Sequence, residues 1–347
     1  MMNLCRYGTH RVIEPIGALP QSATKIDNKM TCHSNEILVD VDTLNIDSAS
    51  FTQIKEVCFG DVFQMKKMIL DIVEKLGKMQ NPVTGSGGMF LGRVNQVGSD
   101  LCLEIKPGDK IASLVSLSLT PLEIEEIISI DLSKDQVKII GKAILFETGI
   151  YAKIPDDLPE SLVLSALDVC GAPAQVDVLC KPGNSVLIIG AAGKSGILCS
   201  SQARKSVGEN GLVIGFVYSS KEKNDLDKLG VCDYIIQGDA RNPMEVYEKV
   251  KAVCPDLVDV TFNVVNVQNT EMSSILPTKN TGTVYFFSMA TSFTKAALGA
   301  EGIASEALMI IGNGYTRGHA DFTLNLLRES KPLYDLFNSR YGVKEND

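Results

Sequence analysis

The sequence predicts an α/β protein in which a doubly wound, parallel Rossmann sheet follows an N-terminal domain of short strands. From residue 184 onwards, strand-like and helix-like segments alternate, which is typical of a parallel sheet. The first of these strands ends in a turn with glycines at 190, 193 and 196, as dinucleotide-binding units do. Before residue 157, short strands and turns prevail, which indicates a barrel-like β domain.

Size and composition limit the classes of protein to be considered. The chain has 347 residues, enough for two domains, and its net charge is −9 without any basic run. These features argue against nucleic acid or an anionic membrane as a partner. No apolar run approaches the roughly 20 residues of a membrane helix, and the first residues lack the apolar core of a signal peptide. The nine cysteines are scattered, as reduced thiols are, so we expect a cytoplasmic protein.

The first half predicts an arm, a strand, a helix and a loop. The stretch 11–20 holds two prolines and a glycine, so residues 3–30 indicate an extended arm. Alternation of apolar and polar residues predicts a half-buried strand over Glu36–Asp42. Helical spacing of apolar residues runs from about 48 to 78, and Gly77 suits its C-terminal cap. A glycine-rich loop over 81–88 then leads into another strand.

The second half supplies five strands and four helices of the parallel sheet, after an interrupted helix over 158–178. The predicted strands are 186–190, 212–217, 234–236, 258–265 and 282–287, and the predicted helices are 196–207, 222–229, 243–253 and 268–276. We expect the domain boundary at 157/158, a Rossmann domain over 158–314, and a C-terminal segment over 315–347 that packs back on the first domain.

The glycine-spaced turn is the predicted pyrophosphate site. Glycines let the backbone approach the phosphates, and the start of the following helix offers N–H groups and a positive dipole end. The residues predicted to bind the dinucleotide here are Gly190, Ala192, Gly193, Lys194, Ser195 and Gly196. Further along, the ends of the fourth and fifth strands predict that Asn263, Val264 and Ser288 line the nicotinamide.

The end of the second strand leaves the choice between NAD and NADP open. Val217 stands where an acidic residue would accept the ribose hydroxyls of NAD. Ser219, Ser220 and Lys223 follow, and hydroxyls with a lysine suit the 2′-phosphate of NADP. The alternative interpretation is that this segment caps the next helix, since serine and glutamate are common there.

Several motifs resemble those of known dehydrogenases. Four segments resemble the medium-chain dehydrogenase/reductase superfamily, whose first domain is a GroES-like β-barrel. They are the Gly-Ala-Ala-Gly-x-x-Gly motif that begins at Gly190, and the segments Lys106–Ile111, Tyr151–Pro159 and Lys181–Ile188. The arm segments Tyr7–Pro15 and Leu19–Gln21, together with the loop Asn81–Met89, are similar to the L-erythro-3,5-diaminohexanoate dehydrogenase family of lysine fermentation. That resemblance implies oxidative deamination of 3,5-diaminohexanoate to 5-amino-3-oxohexanoate with NAD.

The resemblance also implies that no zinc is bound. Zinc-dependent members of the superfamily place a cysteine after the strand that here ends near Val41, but the segment Thr43–Ser48 has no thiol. Their His-Glu pair is replaced by Ser86-Gly87, and the four-cysteine structural lobe is missing. Family members commonly pair through the strand here near 308–312, so the resemblance implies a homodimer, although this run also suits a buried strand.

The implied substrate carries a carboxylate and two amines, which suggests candidate site residues. We assign Arg11 to the carboxylate, Glu14 to an ammonium group, and Asp47 to the role of base. Thr84, Gly85 and Ser86 are expected to contact the substrate, because they stand where zinc-dependent relatives place their second ligand.

Each assignment has an alternative. Arg11 and Glu14 also suit a surface ion pair, and Asp47 also suits a helix cap. His10 is a further candidate for a general acid. Two other functions stay open, namely a zinc-free quinone or enoyl reductase that uses NADPH, and a protein that binds NADPH without catalysis.

Overall fold

The computed structural model describes residues 4–312 and 314–342, and the chain divides into two compact units, Met1–Asp168 and Val169–Asp347. The division falls after 168 and not at the predicted 157/158. The reason lies in the helix Glu160–Leu167, which belongs to the first unit and whose Glu160 carboxylate accepts a hydrogen bond from Lys110 of that unit.

The first unit is built on a six-stranded antiparallel sheet, in agreement with the predicted β domain. The strands of this unit are β1 (Val12–Glu14), β2 (Lys25–Ile26), β3 (Glu36–Asn45), β4 (Met89–Val97), β5 (Lys110–Ser113), β6 (Leu122–Asp131), β7 (Gln136–Phe146) and β8 (Tyr151–Lys153). In the large sheet they pair in the order β6-β7-β3-β4-β5-β8, while β1 and β2 form a separate ribbon in the predicted arm. Apolar residues of β3, β4 and β7 form the core.

The predicted helix over 48–78 is two helices, α1 (Ser48–Val57) and α2 (Val62–Leu76). The break comes at Phe59 and Gly60, which both take the left-handed conformation. Asp61 then accepts hydrogen bonds from the N–H groups of Phe63 and Gln64 and starts α2. Gly77 caps α2 as predicted, with φ of 74° and a backbone so close to Ile26 that a Cβ would overlap its carbonyl oxygen. The α3 helix is Glu160–Leu167.

The second unit confirms the predicted doubly wound sheet. Its strands are β9 (Ser185–Ile189), β10 (Leu212–Val217), β11 (Tyr234–Gln237), β12 (Val258–Asn263), β13 (Thr278–Phe286) and β14 (Leu308–Ile311). They are all parallel and pair in the order β11-β10-β9-β12-β13-β14. The order reverses between β9 and β12, so a crevice opens at the carboxyl ends of these strands, where ligands bind in such sheets.

The helices of the second unit are α4 (Gly171–Leu179), α5 (Lys194–Val207), α6 (Ser220–Leu229), α7 (Pro243–Val253), α8 (Glu271–Ile275), α9 (Phe293–Gly302), α10 (His319–Glu329) and α11 (Lys331–Tyr341). The last two differ from the prediction that 315–347 packs on the first domain. Instead, α10 packs on α4 and α5, and α11 packs on α5 and α6. The Thr323 hydroxyl, for example, donates to the carbonyl oxygen of Cys170 at the start of α4. Residues 343–347 lie outside the described part.

In the described residues, no single helix is both long and apolar enough to cross a membrane, although α3 and α4 taken together meet the criteria of length and composition.

Candidate functional site

The glycine-spaced turn begins where β9 ends. Gly190 has φ of 86°, and its N–H and that of Ala191 donate to the carbonyl oxygen of Phe216 in β10. The Gly193 N–H donates to the carbonyl oxygen of Gly190, after which α5 begins without a side-chain cap. Since the first N–H groups of a helix have no acceptor within it, this turn presents donors to an anion.

The glycines at 190 and 196 are required by close contacts. A Cβ at Gly190 would lie 2.9 Å from the Cα of Val265, and a Cβ at Gly196 would overlap the carbonyl oxygen of Gly190. Ala192 is buried and tolerates its methyl group. The turn has the close backbone packing and the N–H groups of a helix start that suit a pyrophosphate, and dinucleotide binding there stays a prediction.

Arg340 in α11 contacts this turn and was missed by the sequence analysis. Its Nη1 donates to the carbonyl oxygen of Ala192 at 2.6 Å, and its Nη2 donates to Asp225 of α6 at 2.8 Å. Burial raises the pKa of Asp225, but hydrogen bonds from Arg340 and Lys221 outweigh it and hold this pKa below its usual value. The guanidinium thus joins the C-terminal helix to the turn. No local pattern signals a contact between residues 148 positions apart.

At the end of β10, Ser219 caps α6. Its hydroxyl accepts the Glu222 N–H, and the Glu222 carboxylate accepts the N–H groups of Tyr218 and Ser219. The segment therefore caps the next helix, which is the alternative interpretation given for it above. The Glu222 carboxylate is occupied by these hydrogen bonds. Val217 is buried, Lys223 is exposed, and the Ser220 hydroxyl donates to Gln237 at 3.2 Å. Cofactor contacts of Ser219, Ser220 and Lys223 stay a prediction.

The residues predicted to line the nicotinamide lie at one edge of the sheet. The order β9-β12-β13 brings Gly190, Val264 and Ser288 to neighbouring strand ends. Ser288 lines an apolar cavity of about 200 Å³ beside Phe287 and Met309.

The side chain of Asn263 does not have the position expected for a residue that lines the nicotinamide. Its amide nitrogen donates to the hydroxyls of Thr270 and Ser274, both at 2.9 Å, and the residue is fully buried. The side chain therefore points towards the start of α8, and its amide donors are used inside the unit.

In the first unit, Arg11 is not available to a substrate carboxylate, which corrects its predicted role. Its side chain is 1% exposed and all five of its N–H donors are used. Nε and Nη2 donate to the two carboxylate oxygens of Glu36 at 2.6 and 2.7 Å, and the remaining donors bind the carbonyl oxygens of Asp27, Lys29 and Thr31. Arg11 therefore anchors the arm to the start of β3.

Glu36 is the centre of this cluster. It also accepts from His10 Nε2 at 2.8 Å and from the backbone N–H of His33 at 2.9 Å. Burial raises its pKa, but the hydrogen bonds from Arg11, His33 and His10 together hold it below the usual value. The Nδ1 of His10 accepts the Cys5 N–H, so both ring nitrogens are occupied and His10 is wrong as a candidate general acid.

Glu14 lies on the exposed part of β1. The alternative that Glu14 and Arg11 form an ion pair is wrong, because Arg11 pairs with Glu36. Contact between Glu14 and a substrate ammonium stays a prediction. A second attachment of the arm comes from Lys78, which is fully buried and donates to the carbonyl oxygens of Pro20 and Gln21. Burial lowers the pKa of Lys78 to about 8.

The structure does bring Asp47 and the glycine-rich loop together. Asp47 caps α1, as its alternative states, because it accepts the Ser50 N–H at 3.0 Å. It also accepts the Ser50 hydroxyl at 2.7 Å, and that hydroxyl lies 2.6 Å from the hydroxyl oxygen of Thr84. Thr84 in turn accepts the Ser86 N–H at 3.3 Å. Ser50 was missed by the sequence analysis because it looks like an ordinary residue of a first helical turn.

Asn81 and two glycines, Gly85 and Gly88, give the loop its shape. The buried Asn81 side chain accepts the N–H groups of Val83 and Thr84, and its carbonyl oxygen accepts the Gly85 N–H. Gly85 has φ of 72° and open space around it, whereas a Cβ at Gly88 would overlap the carbonyl oxygen at the end of β3. Thr84, Gly85 and Ser86 are partly exposed and therefore accessible to a ligand.

No group of three or more His, Cys, Asp or Glu side chains in residues 4–312 and 314–342 is arranged to hold a metal ion.

Comparison with known proteins identifies the family. The model of the L-erythro-3,5-diaminohexanoate dehydrogenase N-terminal domain matches residues 10–155. An L-erythro-3,5-diaminohexanoate dehydrogenase of Acetoanaerobium sticklandii is 58% identical over 98% of this chain and 100% of its own length. The chain belongs to the L-erythro-3,5-diaminohexanoate dehydrogenase family. The enzyme of the same description from Fusobacterium nucleatum is also 58% identical, over 97% of this chain and 99% of its own. As a member of this dehydrogenase family, the chain is an oxidoreductase, as predicted.

Solved structures with the same fold confirm the predicted architecture of a Rossmann domain with an N-terminal β domain. A mycobacterial protein complexed with NADPH is similar with a TM-score of 0.57 at 15% identity, covering 91% of this chain and 90% of that one. An alcohol dehydrogenase of Thermotoga maritima gives a TM-score of 0.56 at 14% identity, over 90% of this chain and 86% of its own. At such identities the likeness concerns the fold.

Proposed function

We propose that the protein catalyses the NAD(P)-dependent oxidative deamination of L-erythro-3,5-diaminohexanoate to (S)-5-amino-3-oxohexanoate, with release of ammonia, in lysine fermentation. The observation that carries this proposal is 58% identity over essentially the full length of two enzymes described by that substrate. The arm and glycine-rich loop lie within the matched family domain, and the pyrophosphate turn supports a dinucleotide.

The mechanism divides between the two units. In the second unit, the N–H groups at the start of α5 would hold the pyrophosphate, and the strand ends at Val264 and Ser288 would lie along the nicotinamide. A bound nicotinamide would supply the hydride acceptor for the carbon that carries the reacting amine. In the first unit, the Asp47 carboxylate and the Thr84 hydroxyl supply proton acceptors beside an open stretch of loop.

The substrate groups that do not react need partners as well. Glu14 is exposed and is proposed to bind the distal ammonium. With Arg11 excluded, no single arginine is assigned to the carboxylate. Thr84, Gly85 and Ser86 are proposed to lie along the substrate, because their loop is accessible and lies beside Asp47.

The preferred dinucleotide depends on the end of β10. The family resemblance implies NAD, whereas Ser219, Ser220 and the exposed Lys223 support NADP, since Glu222 is occupied in the cap of α6. The ratio of kcat/KM measured with NAD to that measured with NADP decides between them. If Lys223 binds the 2′-phosphate, we expect Lys223→Glu to lower kcat/KM for NADP and to leave kcat/KM for NAD unchanged.

The test of the function is turnover of L-erythro-3,5-diaminohexanoate with each cofactor. We expect reduced cofactor and ammonia in equal amounts, and no turnover of simple alcohols. Absence of turnover with both cofactors contradicts the proposal. Oxidation of NADPH by quinones or enoyl thioesters, without activity on the diamino acid, would favour the reductase alternative.

We also propose that the protein is a homodimer that pairs through β14. This strand is the last of the parallel sheet, and Leu308 and Ile311 on it are 60% and 62% exposed. An apolar edge strand of this kind is a common surface for pairing.

A further inference from the structure

Three side chains in the first unit form a continuous chain of hydrogen bonds. The Ser50 hydroxyl lies 2.7 Å from Asp47 Oδ2 and 2.6 Å from Thr84 Oγ1. Ser50 is fully buried, while Asp47 and Thr84 are partly buried. The middle of the chain is thus shielded from water, and Thr84 lies at the accessible end on the glycine-rich loop.

The direction of the protons follows from the number of donors. A serine hydroxyl has one proton, and Ser50 donates it to Asp47. In the contact between the two hydroxyls, Thr84 must therefore be the donor and Ser50 the acceptor. Thr84 Oγ1 accepts the Ser86 N–H, and it retains a lone pair for one further donor. The chain is consequently set to accept a proton at Thr84 and to deliver it to Asp47.

The surrounding backbone holds this geometry. Asn81 accepts the Thr84 N–H at 3.1 Å, and its side-chain nitrogen donates to Gln53 of α1 at 2.6 Å. Asp47 is fixed because it also accepts the Ser50 N–H at the start of α1. Loop and helix are therefore joined on both sides of the contact between Ser50 and Thr84. A well-positioned acid–base group of this kind is what proton transfer requires.

We propose that Thr84, Ser50 and Asp47 form a proton relay for the hydrolysis half of the reaction, an inference that rests on the proposed deamination. After hydride loss the substrate is an iminium ion. As the oxygen of water forms its bond to that carbon, a water proton passes to Thr84, the Thr84 proton passes to Ser50, and the Ser50 proton passes to Asp47. The products of this step are the neutral carbinolamine and a protonated Asp47.

The return of the proton completes the balance. Asp47 gives its proton back through Ser50 and Thr84 to the nitrogen of the carbinolamine, which becomes a leaving ammonia as the C–N bond breaks. The hydroxyl proton then passes to ammonia, which leaves as ammonium beside the ketone. Asp47 is again a carboxylate. Ser50 acts through its neighbours and is a relay residue, whereas Thr84 contacts the reacting water.

The test separates hydride transfer from ammonia release in a single turnover. At saturating substrate, we expect Ser50→Ala and Thr84→Val to form the first equivalent of reduced cofactor much faster than they release ammonia. In both variants, ammonia release and the steady-state kcat should fall by about 100-fold, while KM for the cofactor stays unchanged. Thr84→Ser keeps the hydroxyl and should restore ammonia release. Ser48→Ala is the matched control, because its hydroxyl in the same helical turn donates to Asp135 instead.

Two results overturn the relay. One is a steady-state rate of ammonia release in Ser50→Ala and Thr84→Val equal to that of the wild type. The other is an equal loss of hydride transfer and ammonia release that Thr84→Ser does not restore, because that pattern shows a structural role. Thr84 is partly exposed, so its variants keep the test valid should Ser50→Ala fail to fold. Failure of the proposed function is distinct, because the wild type would then form no reduced cofactor.

Discussion

Replacement of Arg11 by methionine should strongly destabilise the first unit. The substitution keeps an apolar side chain but removes both bonds to the Glu36 carboxylate and the donors to three backbone carbonyl oxygens. Glu36 is fully buried, so a buried negative charge loses its main partner. Removal of one member of a buried ion pair costs about 3–5 kcal/mol. We expect the free energy of unfolding of this unit to fall by that amount.

The assay is differential scanning calorimetry combined with urea denaturation. For a unit of this size, each kcal/mol lowers the melting temperature by about 2–4 °C, so we expect a decrease of roughly 6–20 °C in the transition of the first unit. Arg6→Met is the matched control, because Arg6 lies in the same arm and its pair with Glu147 is 57% and 38% exposed. Loss of such an exposed pair changes stability by about 0–1 kcal/mol.

A further variant, Arg11→Lys, tests the corrected role of Arg11. If Arg11 bound the substrate carboxylate, Arg11→Lys would raise KM and leave the melting temperature nearly unchanged. The structure predicts the reverse, since a lysine cannot reproduce five donors in a planar fork. If Arg11→Met lowers the free energy of unfolding by less than about 1 kcal/mol, the pair of Arg11 and Glu36 contributes no more than an exposed ion pair does, and the predicted anchoring role of Arg11 is refuted.

Three further predictions follow from other contacts. The pKa of Lys78 is about 8 in the folded protein and about 10.4 in the unfolded chain. Between these pH values the folded state therefore binds fewer protons than the unfolded state. The contribution of Lys78 to the free energy of unfolding should consequently rise by up to ~3 kcal/mol as the pH increases through this range. Urea denaturation of the wild type and of Lys78→Met at several pH values gives that difference, and a constant difference would contradict it. Arg340→Ala should lower the free energy of unfolding of the second unit by roughly 1.5–3 kcal/mol, since it removes charged hydrogen bonds to the Ala192 carbonyl and to Asp225, and an unchanged midpoint in urea denaturation would contradict this. Leu308→Lys on the edge strand should convert the proposed homodimer to a monomer in light scattering, whereas a monomeric wild type would disprove the dimer.

The sequence predicts the second unit well because its signals are local. The predicted strand over 212–217 and helix over 243–253 have the bounds of β10 and α7, since apolar runs and turn residues mark both ends. The sequence predicts one helix over 48–78, because the apolar periodicity continues on both sides of Phe59 and Gly60. The structure has two helices there. A turn in the left-handed conformation leaves that periodicity intact.

The candidate site is predicted less completely because its contacts are distant in the sequence. The sequence predicts both Asp47 and Thr84 as candidates, but the Ser50 hydroxyl that joins them depends on how loop and helix meet. The sequence predicts a substrate-binding role for Arg11, because an arginine in an arm has no visible partner until β3 places Glu36 beside it. Arg340 reaches the pyrophosphate turn only through the packing of α11. Periodicity and spacing do not encode such pairings.

On the proposal that the glycine-rich loop contacts the substrate, its backbone limits which positions can be varied to change the substrate range. A Cβ at Gly87 would overlap the carbonyl oxygen of Met79, and one at Gly88 would overlap that of Asn45, so substitutions there must displace the main chain. Gly85 and the neighbouring side chains of Val83 and Ser86 face open or accessible space. A combinatorial library should therefore vary 83, 85 and 86, with residues of left-handed preference such as asparagine at 85, and should keep 87 and 88 fixed. Divergence of specificity within the family is expected to follow the same division.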